Sequence, residues 1–548
     1  MLLREVLDHN LANESAVYVA LLDARKAFDT VWHNGIFFKL YTLGCNNVLW
    51  RILKDYYDNF QCCAFVAGRQ SGWFDVLQGV HQGGPLSMKM YMVFNNDLLD
   101  LLCRMDGGAS ISYINFPLVS PAFADDISIV TLHKPHMQLM LNVAYRHSCM
   151  WRYEFNPAKS HVIIFGRDLC PMRQLCMGEQ PIDIVECDTH LGVPLASKPG
   201  KIIIAMNDRV NIGRRNFFAS LSLGSRSCPM SPVIVSKLYW SVVIPQMTYG
   251  LELLNLPSRA IAALESAHIS MAKAAQGLPR SAANAAALPA LGWLTLRSWL
   301  AYKRFMFMWH ILLASMDCIY KYVLVERLMH LHYLKCHNQR FKGPIVLMYE
   351  TCLEYGLLEY VINAVRTGQY ISNREWKRKV KDVIWQRERY TYVANCNIYK
   401  SMTLYKNCIS PRNVWPWWLF AKRHPCYVQK CRVMFRLLTG NNAIAERLRQ
   451  AGISRTCQQC SMMVADSISH MLFECECANQ TRRNLWANII RNAPEALVEE
   501  LSGMTHKVRS EFLLSGLNNS VLVYEWDSLL IAVCQFVVQM YDHKVSLM

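Results

Sequence analysis

Two adjacent aspartates, Asp125 and Asp126, interrupt the apolar segment "PAFADDISIV". The apolar residues on both sides predict a strand, a tight turn and a second strand, with Phe123, Ile127 and Ile129 buried. Two adjacent carboxylates beside a core cost free energy unless a cation compensates their charge. The segment is therefore a candidate metal-binding hairpin, although an ordinary polar turn is the more frequent explanation of such a pair taken alone.

A third carboxylate, Asp23, ends the apolar run "VYVALLDA", which predicts a buried strand over residues 17–24. Phosphoryl transfer from a nucleoside triphosphate can use two divalent ions about 3.5–4 Å apart, and Mg²⁺ prefers carboxylate oxygens. Strand ends and tight turns on a rigid sheet hold such ligands in place. We therefore predict that Asp23, Asp125 and Asp126 converge as the ligands of two Mg²⁺ ions.

A glycine-rich loop, "QGVHQGGPLSMKMYMVF", lies between the two aspartate segments. Gly79, Gly83 and Gly84 precede an apolar stripe that predicts a helix over residues 86–102. Glycines let a backbone approach a nucleotide or a template closely, although an ordinary loop before a helix is the alternative. The order of the three segments along the chain is more informative than any one of them.

These segments resemble the motifs of reverse transcriptases from non-LTR (LINE-type) retrotransposons. "LLDARKAFDTVWH" is similar to their first catalytic motif, "QGVHQGGPLS" to their glycine-rich motif and "AFADDISIV" to their Asp-Asp box. "YEFNPAKSHVIIFG" and "HLGVPL" resemble the next two motifs, and "SVVIPQMTYGLELL" resembles a thumb segment. Met88 stands where the family usually has the second proline of "PLSP". The resemblance covers nearly the whole chain, because "RLLTGNN" and the cysteines beyond it resemble the family's C-terminal module.

The resemblance implies a role for each matching residue. The three aspartates would be the catalytic residues, with Asp126 beside the two principal metal ligands. Phe28 would lie under the incoming sugar and collide with a 2′-hydroxyl, unless it is simply a core aromatic. Gln82 and Gly83 would line the template and nucleotide pocket. Lys159 would donate a proton to pyrophosphate or contact a phosphate, unless it is a solvated loop lysine.

The resemblance also implies an α+β fold with four regions. A right-hand polymerase palm, an antiparallel sheet with helices, is expected over residues 1–200. An α-helical thumb and connection would occupy residues 201–372, and a basic, aromatic-rich nucleic-acid-binding region residues 373–450. A zinc-knuckle-like module and a helical tail would occupy residues 451–548.

The position of the first motif carries a further expectation. Family members have a fingers region and usually an endonuclease ahead of that motif, and neither fits between Met1 and Asp23. We therefore expect the chain to be N-terminally truncated. Because basic residues of the fingers grip the triphosphate, we expect a polymerase that is inactive or incomplete by itself.

The charge of the chain favours a polyanionic partner. Lysine and arginine number 58 against 41 acidic residues, a net charge of +17, and 52% of residues are hydrophobic, which argues against disorder. No unbroken apolar run reaches the roughly 20 residues of a membrane span. The charged segment "MLLREVLDHN" is unlike a signal peptide. We therefore expect a soluble protein of the cytoplasm and nucleus, with nucleic acid and not a membrane as its partner.

Much of the positive charge is concentrated in residues 374–449, which hold 17 basic and 4 acidic residues. In "REWKRKVKDVIWQRERYTY" the cations are interleaved with Trp376, Trp385 and Tyr390. Such cations can contact phosphates while aromatic rings stack on unpaired bases. The alternative is a solvated helix whose aromatic residues turn into the core. We favour nucleic acid, either the element's RNA or its target DNA.

A cysteine and histidine array near the C-terminus predicts a zinc site. Cys457 and Cys460 form a Cys-x-x-Cys pair, followed by His470 and Cys475. A Cys-x-x-Cys turn can grip one Zn²⁺, and a later His and Cys can complete the tetrahedron. Cys477 is an alternative to Cys475, and unliganded thiols are the alternative to the site itself. A closed four-ligand site of this kind is structural.

These observations lead to one principal hypothesis and two others. The chain is predicted to be an RNA-directed DNA polymerase that joins deoxynucleoside triphosphates to a DNA primer on an RNA template. A non-enzymatic remnant that binds nucleic acid is the alternative. A protein of anionic membranes is the third hypothesis, and it assigns no role to the aspartates.

Overall fold

The apolar run Val17–Leu22 forms strand β1, which lies inside a six-stranded sheet of this computed structural model. The structure describes residues 1–81, 83–111, 113–168, 170, 174–224, 229–334, 341–399, 402–442, 457, 459–462, 467–517 and 526–546. The chain divides into two units. Unit 1 contains residues 1–205, 250–257 and 308–370, and unit 2 contains the remainder.

All described strands lie between residues 17 and 196, in unit 1. They are β1 Val17–Leu22, β2 Gln61–Cys62, β3 Phe65–Val66, β4 Arg69–Gln70, β5 Phe74–Asp75, β6 Ala109–Ile111, β7 Ile114–Leu118, β8 Ala122–Phe123, β9 Asp126–Thr131, β10 His161–Phe165, β11 Leu175–Met177, β12 Gln180–Val185, β13 Cys187–His190 and β14 Val193–Ala196. The strand order of the six-stranded sheet is β11-β12-β10-β1-β9-β8. Its pairs are antiparallel except for β10 with β12.

The α-helices of the described residues follow in chain order. They are α1 Leu2–Ala12, α2 His33–Thr42, α3 Val48–Asp58, α4 Ser87–Cys103, α5 Lys134–Trp151, α6 Pro199–Leu221, α7 Pro232–Leu238, α8 Ile244–Thr248, α9 Ser258–Ala275, α10 Leu296–Leu312, α11 Ile319–Tyr333, α12 Pro344–Glu354, α13 Leu358–Thr367, α14 Asn373–Asn397, α15 Thr403–Cys408, α16 Pro416–Arg423, α17 Val428–Leu438, α18 Asn479–Asn492, α19 Glu495–Gly503, α20 His506–Ser515 and α21 Asp527–Ser546. The predicted α+β class is confirmed. The four domain limits drawn from the sequence remain predictions.

The core of unit 1 forms where the sheet meets α4 and α5. Alternate residues of a strand point to opposite faces, and Tyr18, Ala20 and Leu22 of β1 join one buried cluster with Phe94 of α4 and Leu141 of α5. The other residues of β1 are buried as well. A strand that is buried on both faces is well fixed, so its C-terminal end is a rigid place for a functional side chain.

None of the described helices has an apolar stretch long enough to cross a lipid bilayer.

A buried ion pair ties α1 to the helices after residue 308 within unit 1. Arg327 Nε of α11 lies 2.8 Å from Glu5 Oε1, and both side chains are 0% exposed. Glu5 Oε2 accepts a hydrogen bond of 2.8 Å from the Ile345 backbone N–H. Arg327 also donates to the Tyr113 hydroxyl, and its guanidinium lies 5.5 Å from the centre of that ring. These contacts join the first helix of the chain to a segment more than 300 residues away.

We expect Arg327→Met to destabilise the folded chain by about 3–5 kcal/mol, because it leaves the Glu5 carboxylate buried without its partner. The double variant Glu5→Leu with Arg327→Met removes both charges and should recover most of that loss. The measurement is the free energy of unfolding in urea. Arg366→Met, which changes an exposed arginine of α13, is the matched control. A single variant as stable as the control would show that the pair contributes little.

Candidate active site and metal centre

The pairing of β1 with β9 brings two of the predicted aspartates to the same place. The last residues paired between these antiparallel strands are Leu22 and Ile127. Asp23 directly follows β1 and Asp126 is the first residue of β9, so continuing the register by one residue sets them opposite each other at the end of the ladder. Asp125 directly precedes β9 in the turn from β8. Neighbouring strand ends therefore carry the three carboxylates that the sequence singled out.

The turn that carries Asp125 is as short as an antiparallel connection allows. Phe123 pairs with Asp126, so Ala124 and Asp125 alone form the turn. Ala124 has a φ of 55°, as is common in two-residue hairpin turns. The predicted strand, turn and strand are confirmed. The predicted burial of Phe123 is wrong, because its side chain is 60% exposed; β8 is an edge strand of only two residues.

The electrostatics of the turn reflect its crowded negative charge. Partial burial raises the pKa of Asp126, and the charges of Asp125 and Asp23 raise it further. His190, at the end of β13, opposes that shift. Burial lowers the pKa of His190 itself, against the attraction of Asp126. Asp126 thus experiences the negative charge of the other two aspartates, and a cation among them would relieve the repulsion.

Asp23 is held by a turn that follows α5. Its backbone N–H donates to Ser160 Oγ at 3.1 Å, and its carbonyl accepts from the Asn156 N–H at 2.7 Å. Lys159 lies in the same turn, donates its backbone N–H to the Asn156 carbonyl at 3.1 Å and is exposed. The predicted lysine is therefore in the turn that binds the backbone of Asp23.

Tyr91 of α4 interacts with both Phe28 and Asp125. The Phe28 ring stacks on Tyr91 with centroids 4.9 Å apart and an interplanar angle of 26°. Burial raises the pKa of the Tyr91 hydroxyl, and the charge of Asp125 adds to the shift. Neither Tyr91 nor His190 was singled out from the sequence. Tyr91 stands in the helix after the glycine loop, and His190 begins "HLGVPL", so both lay inside quoted motifs.

The glycine loop is fastened to the segment after Asp23. Gly79 N–H donates to the Val31 carbonyl and Val80 N–H to the Phe28 carbonyl, each at 2.8 Å. Gly83 has a φ of 82° and open space where a Cβ would stand. Gln82, the other predicted residue of the loop, lies outside the described residues. The loop therefore runs beside Phe28, the residue expected under the sugar.

We expect Gly79→Ala to destabilise the chain by about 2 kcal/mol or more. Gly79 has a φ of 94°, and a Cβ there would stand 2.8 Å from the Asp29 carbonyl oxygen, which belongs to the backbone and cannot swing away. Gly44→Ala is the control, because Gly44 has a φ of 88° but open space around it. The midpoint of urea unfolding measures both. Equal losses would show that the contact with Asp29 contributes nothing beyond backbone strain.

The predicted cysteine and histidine ligands come together in unit 2. The sulfurs of Cys457, Cys460 and Cys475 and a ring nitrogen of His470 all lie within 4.8 Å of one another. Cys460 Sγ is 3.5 Å from His470 Nε2, and Cys457 Sγ is 3.9 Å from Cys475 Sγ. Cys477, the alternative ligand, has its sulfur 3.1 Å from that of Cys475 but is outside the four-atom group. The described residues thus contain a group that could hold a metal ion.

Charged side chains lie against this cluster, among them Lys544 and Glu474. Lys544 of α21 places Nζ 2.8 Å from Cys457 Sγ. Burial opposes ionisation of that thiol, but the hydrogen bonds from Lys544, from the Gln459 backbone and from the neighbouring ligand side chains together lower the pKa of Cys457 to about 6. Glu474 Oε2 lies 3.5 Å from His470 Nδ1. A carboxylate beside the outer nitrogen of a histidine is a common support for a metal ligand.

The first part of the basic segment, up to residue 397, lies in the long helix α14, which begins with a capping box between Ser372 and Glu375. Trp376 is fully buried, and its indole N–H donates to the Phe305 carbonyl at 3.0 Å. The prediction that Trp376 contacts nucleic acid is therefore wrong. Tyr390 is 72% exposed and Trp385 half-buried, so these two remain accessible.

Comparison with known proteins agrees with this geometry. Residues 2–195 match the family described as reverse transcriptase (RNA-dependent DNA polymerase). The chain is 32% identical over 116 residues to the retrovirus-related Pol polyprotein from type-1 retrotransposable element R2 of Popillia japonica, which covers 20% of this chain and 18% of that protein. It is 23% identical over 265 residues to the RNA-directed DNA polymerase from mobile element jockey of Drosophila melanogaster, which covers 46% of this chain and 27% of that protein.

The residues that match this family include β1, the glycine loop and the β8–β9 turn. These three elements carry the predicted aspartates and glycines. The chain spans about a quarter or less of the length of these two relatives. Residues 2–195 are therefore a reverse transcriptase domain of the kind that LINE-type retrotransposons encode.

Proposed function

We propose that this chain catalyses RNA-directed DNA synthesis, the attack of a primer 3′-hydroxyl on the α-phosphate of a deoxynucleoside triphosphate. The supporting observation is the register of β1 and β9, which sets Asp23 opposite Asp126 with Asp125 in the adjoining turn. Carboxylates on neighbouring strand ends are held by the sheet and need little rearrangement when they take up metal ions.

The carboxylates fit divalent cations of the magnesium type. Their donors are hard oxygens. Burial raises the pKa of Asp126, repulsion from Asp125 and Asp23 raises it further, and a bound cation would relieve that repulsion. Asp23 and Asp125 would be the principal ligands, with Asp126 beside them. Two Mg²⁺ ions bound there would stabilise the charge on the attacking hydroxyl and on the departing pyrophosphate.

Other residues of the domain would position the nucleotide. Phe28, fixed against Tyr91, would stand under the sugar and reject a 2′-hydroxyl. Gly83 leaves room for a base or a backbone to approach, and Gln82 would line the same pocket. Lys159, in the turn bound to Asp23, would donate a proton to the leaving pyrophosphate or hold one of its phosphates.

A primer-extension assay tests this proposal. The purified chain is given an RNA template, an annealed DNA primer and deoxynucleotides, with Mg²⁺ or with EDTA. We expect extension that requires Mg²⁺ and that falls when ribonucleotides replace deoxynucleotides. Phe28→Ala should reduce the discrimination against ribonucleotides more than it reduces extension with deoxynucleotides. No extension with either kind of nucleotide, from a folded chain that binds the template, would favour a binding function instead.

That second function, binding of nucleic acid without catalysis, is supported by the surface of α14. Lys377 and Arg378 stand three and four residues after Arg374, Lys381 follows them after four and three residues, and all four side chains are exposed. This spacing aligns them on one face of the helix, where a row of cations would track a phosphate backbone. An RNA template, a DNA primer or target DNA would be the partner, in the cytoplasm or the nucleus.

We propose that the cysteine and histidine cluster holds one structural Zn²⁺. Three thiolates and one imidazole are a usual donor set for tetrahedral zinc. The observation in support is the approach of all four donor atoms to within 4.8 Å.

A further inference from the structure

Two adjoining cavities lie beside α14 in unit 2. The smaller has a volume of about 210 Å³ and is lined mainly by apolar and aromatic side chains, among them Trp293 and Trp385. The larger has a volume of about 420 Å³, and Arg389 and Lys406 are among its lining residues. Tyr392 and Pro411 line both cavities. An aromatic compartment and a cationic compartment thus share a wall.

Trp385 belongs both to the smaller cavity and to the basic face of α14. It stands four residues after Lys381 and four before Arg389, so the three side chains are neighbours on one side of the helix. Lys381 and Arg389 are exposed, and Trp385 is half-buried. A phosphate backbone that followed the cations of this helix would therefore bring its bases past the accessible side of an indole ring.

The smaller cavity has a fixed wall and a hydrogen-bond acceptor. The ring of Trp293 stacks on Tyr239 with centroids 4.2 Å apart and an interplanar angle of 4°, and its N–H donates to Ser236 Oγ at 3.0 Å. Glu388 also lines the cavity, and its Oε1 accepts from the Thr295 hydroxyl at 2.5 Å. Carboxylates accept hydrogen bonds from the amino groups of bases, as of cytosine. These side chains are held in place before any ligand arrives.

The larger cavity suits a phosphate group. Lys406 Nζ is held by Asn397 Oδ1 at 2.8 Å, a neutral partner that leaves the positive charge uncompensated by that contact. No aspartate or glutamate is among the described residues that line this cavity, whereas Arg389 and Lys406 both are. Two cations beside backbone and hydroxyl groups form a usual environment for a phosphate.

We propose that the two cavities bind one unpaired nucleotide of a single-stranded nucleic acid. Its base stacks on Trp385 in the smaller cavity, and its phosphate lies between Arg389 and Lys406 in the larger one. The strand on either side follows the cations of α14. The inference deepens the proposed binding function of the basic segment and is independent of the aspartate site.

Equilibrium binding of a short labelled oligonucleotide, followed by fluorescence anisotropy without nucleotides or Mg²⁺, tests this site. Trp385→Ala should weaken binding of single-stranded RNA or DNA about 10-fold and leave binding of a duplex unchanged, since paired bases cannot enter the cavity. Trp385→Phe, which keeps an aromatic face, should stay within about 3-fold of the parent chain. The RNA and DNA arms show which strand the site prefers.

Salt dependence tests the phosphate compartment. The double variant Arg389→Gln with Lys406→Gln should reduce the slope of log affinity against log salt by about two phosphate contacts. Arg366→Gln, which removes one exposed positive charge of α13 outside the cavities, is the control and should leave the preference for single strands intact. Circular dichroism establishes that each variant is folded.

Three results would overturn the proposal of a nucleotide site. They are a Trp385→Ala chain that binds single strands as the parent does, a Trp385→Phe chain as weak as the alanine variant while folded, and equal weakening for single strand and duplex. Failure of the polymerase proposal would leave these measurements unchanged, because no step of the assay depends on Asp23 or Asp125.

Discussion

Asp125→Asn should reduce primer extension by about 1,000-fold or more while leaving template binding within about 2-fold. The amide keeps the size of the side chain and its place in the turn between β8 and β9. It removes the negative charge and one anionic oxygen, both of which a divalent cation requires. Affinity for template and primer rests mainly on cations that contact phosphates, so it should change little. Initial rates of extension and anisotropy binding curves measure the two effects separately.

Two further variants make the comparison specific. Asp106→Asn makes the same chemical change at an exposed residue with a φ of 48°, a conformation that asparagine adopts well, and should keep the parent rate. The extension rate of Asp126→Asn should lie between those of Asp125→Asn and Asp106→Asn, since Asp126 stands beside the principal ligands. An Asp125→Asn chain that extends primers at the rate of the Asp106→Asn control would exclude Asp125 from catalysis.

The parts of the fold that are local in sequence could be predicted from sequence patterns. The apolar run of β1, the helix after the glycine loop and the hairpin around Asp125 were all expected, and the structure has them. Each depends on residues within a few positions of one another, where apolar alternation and turn residues determine the conformation. The order of the motifs then indicated the family, which no single motif identifies.

The contacts between distant segments could not be predicted in this way. Nothing around Glu5 indicates that its partner is Arg327, because a buried ion pair depends on how helices pack and not on sequence spacing. The same holds for His190, whose charge interaction with Asp126 arises from the position of β13. Phe123 was misjudged because its apolar character was taken as burial, although an edge strand of two residues leaves it exposed.

The aromatic residues of α14 illustrate a distinction that the sequence did contain. Trp376 lies on the same side of the helix as Val380 and Ile384, which are buried, whereas Trp385 shares the side of Lys381. On a helix with 3.6 residues per turn, the nine positions from Trp376 to Trp385 place the two side chains on opposite sides. Composition alone groups them together, and only the helical spacing assigns one to the core and the other to the surface.

Removal of zinc should have the second large effect, confined to the C-terminal part of unit 2. We expect the purified chain to contain one Zn²⁺, and Cys460→Ala to lose it, because zinc binding by such sites contributes about 10–16 kcal/mol at neutral pH. Without the metal, the four donor groups lose the ion that joins them and are left with hydrogen bonds such as the one from Lys544 Nζ to Cys457 Sγ. Metal analysis and limited proteolysis with and without a chelator measure the loss and its location.

The helices beyond the cluster should survive this loss better than the cluster itself. Phe473, Trp486 and Phe536 form an aromatic group with ring centroids 5.4–5.6 Å apart, which joins α18 to α21 without any metal ligand. Proteolysis of the zinc-free chain should therefore begin within residues 457–475 and spare residues 527–546.

Cys426→Ala, which removes an exposed thiol elsewhere, should keep its zinc. Cys477→Ala should also keep it, whereas Cys475→Ala should not, because Cys475 belongs to the four-atom group and Cys477 does not. A chain that holds no zinc when purified in its presence, or that loses none on Cys460→Ala, would identify the four residues as ordinary packed thiols and a buried histidine.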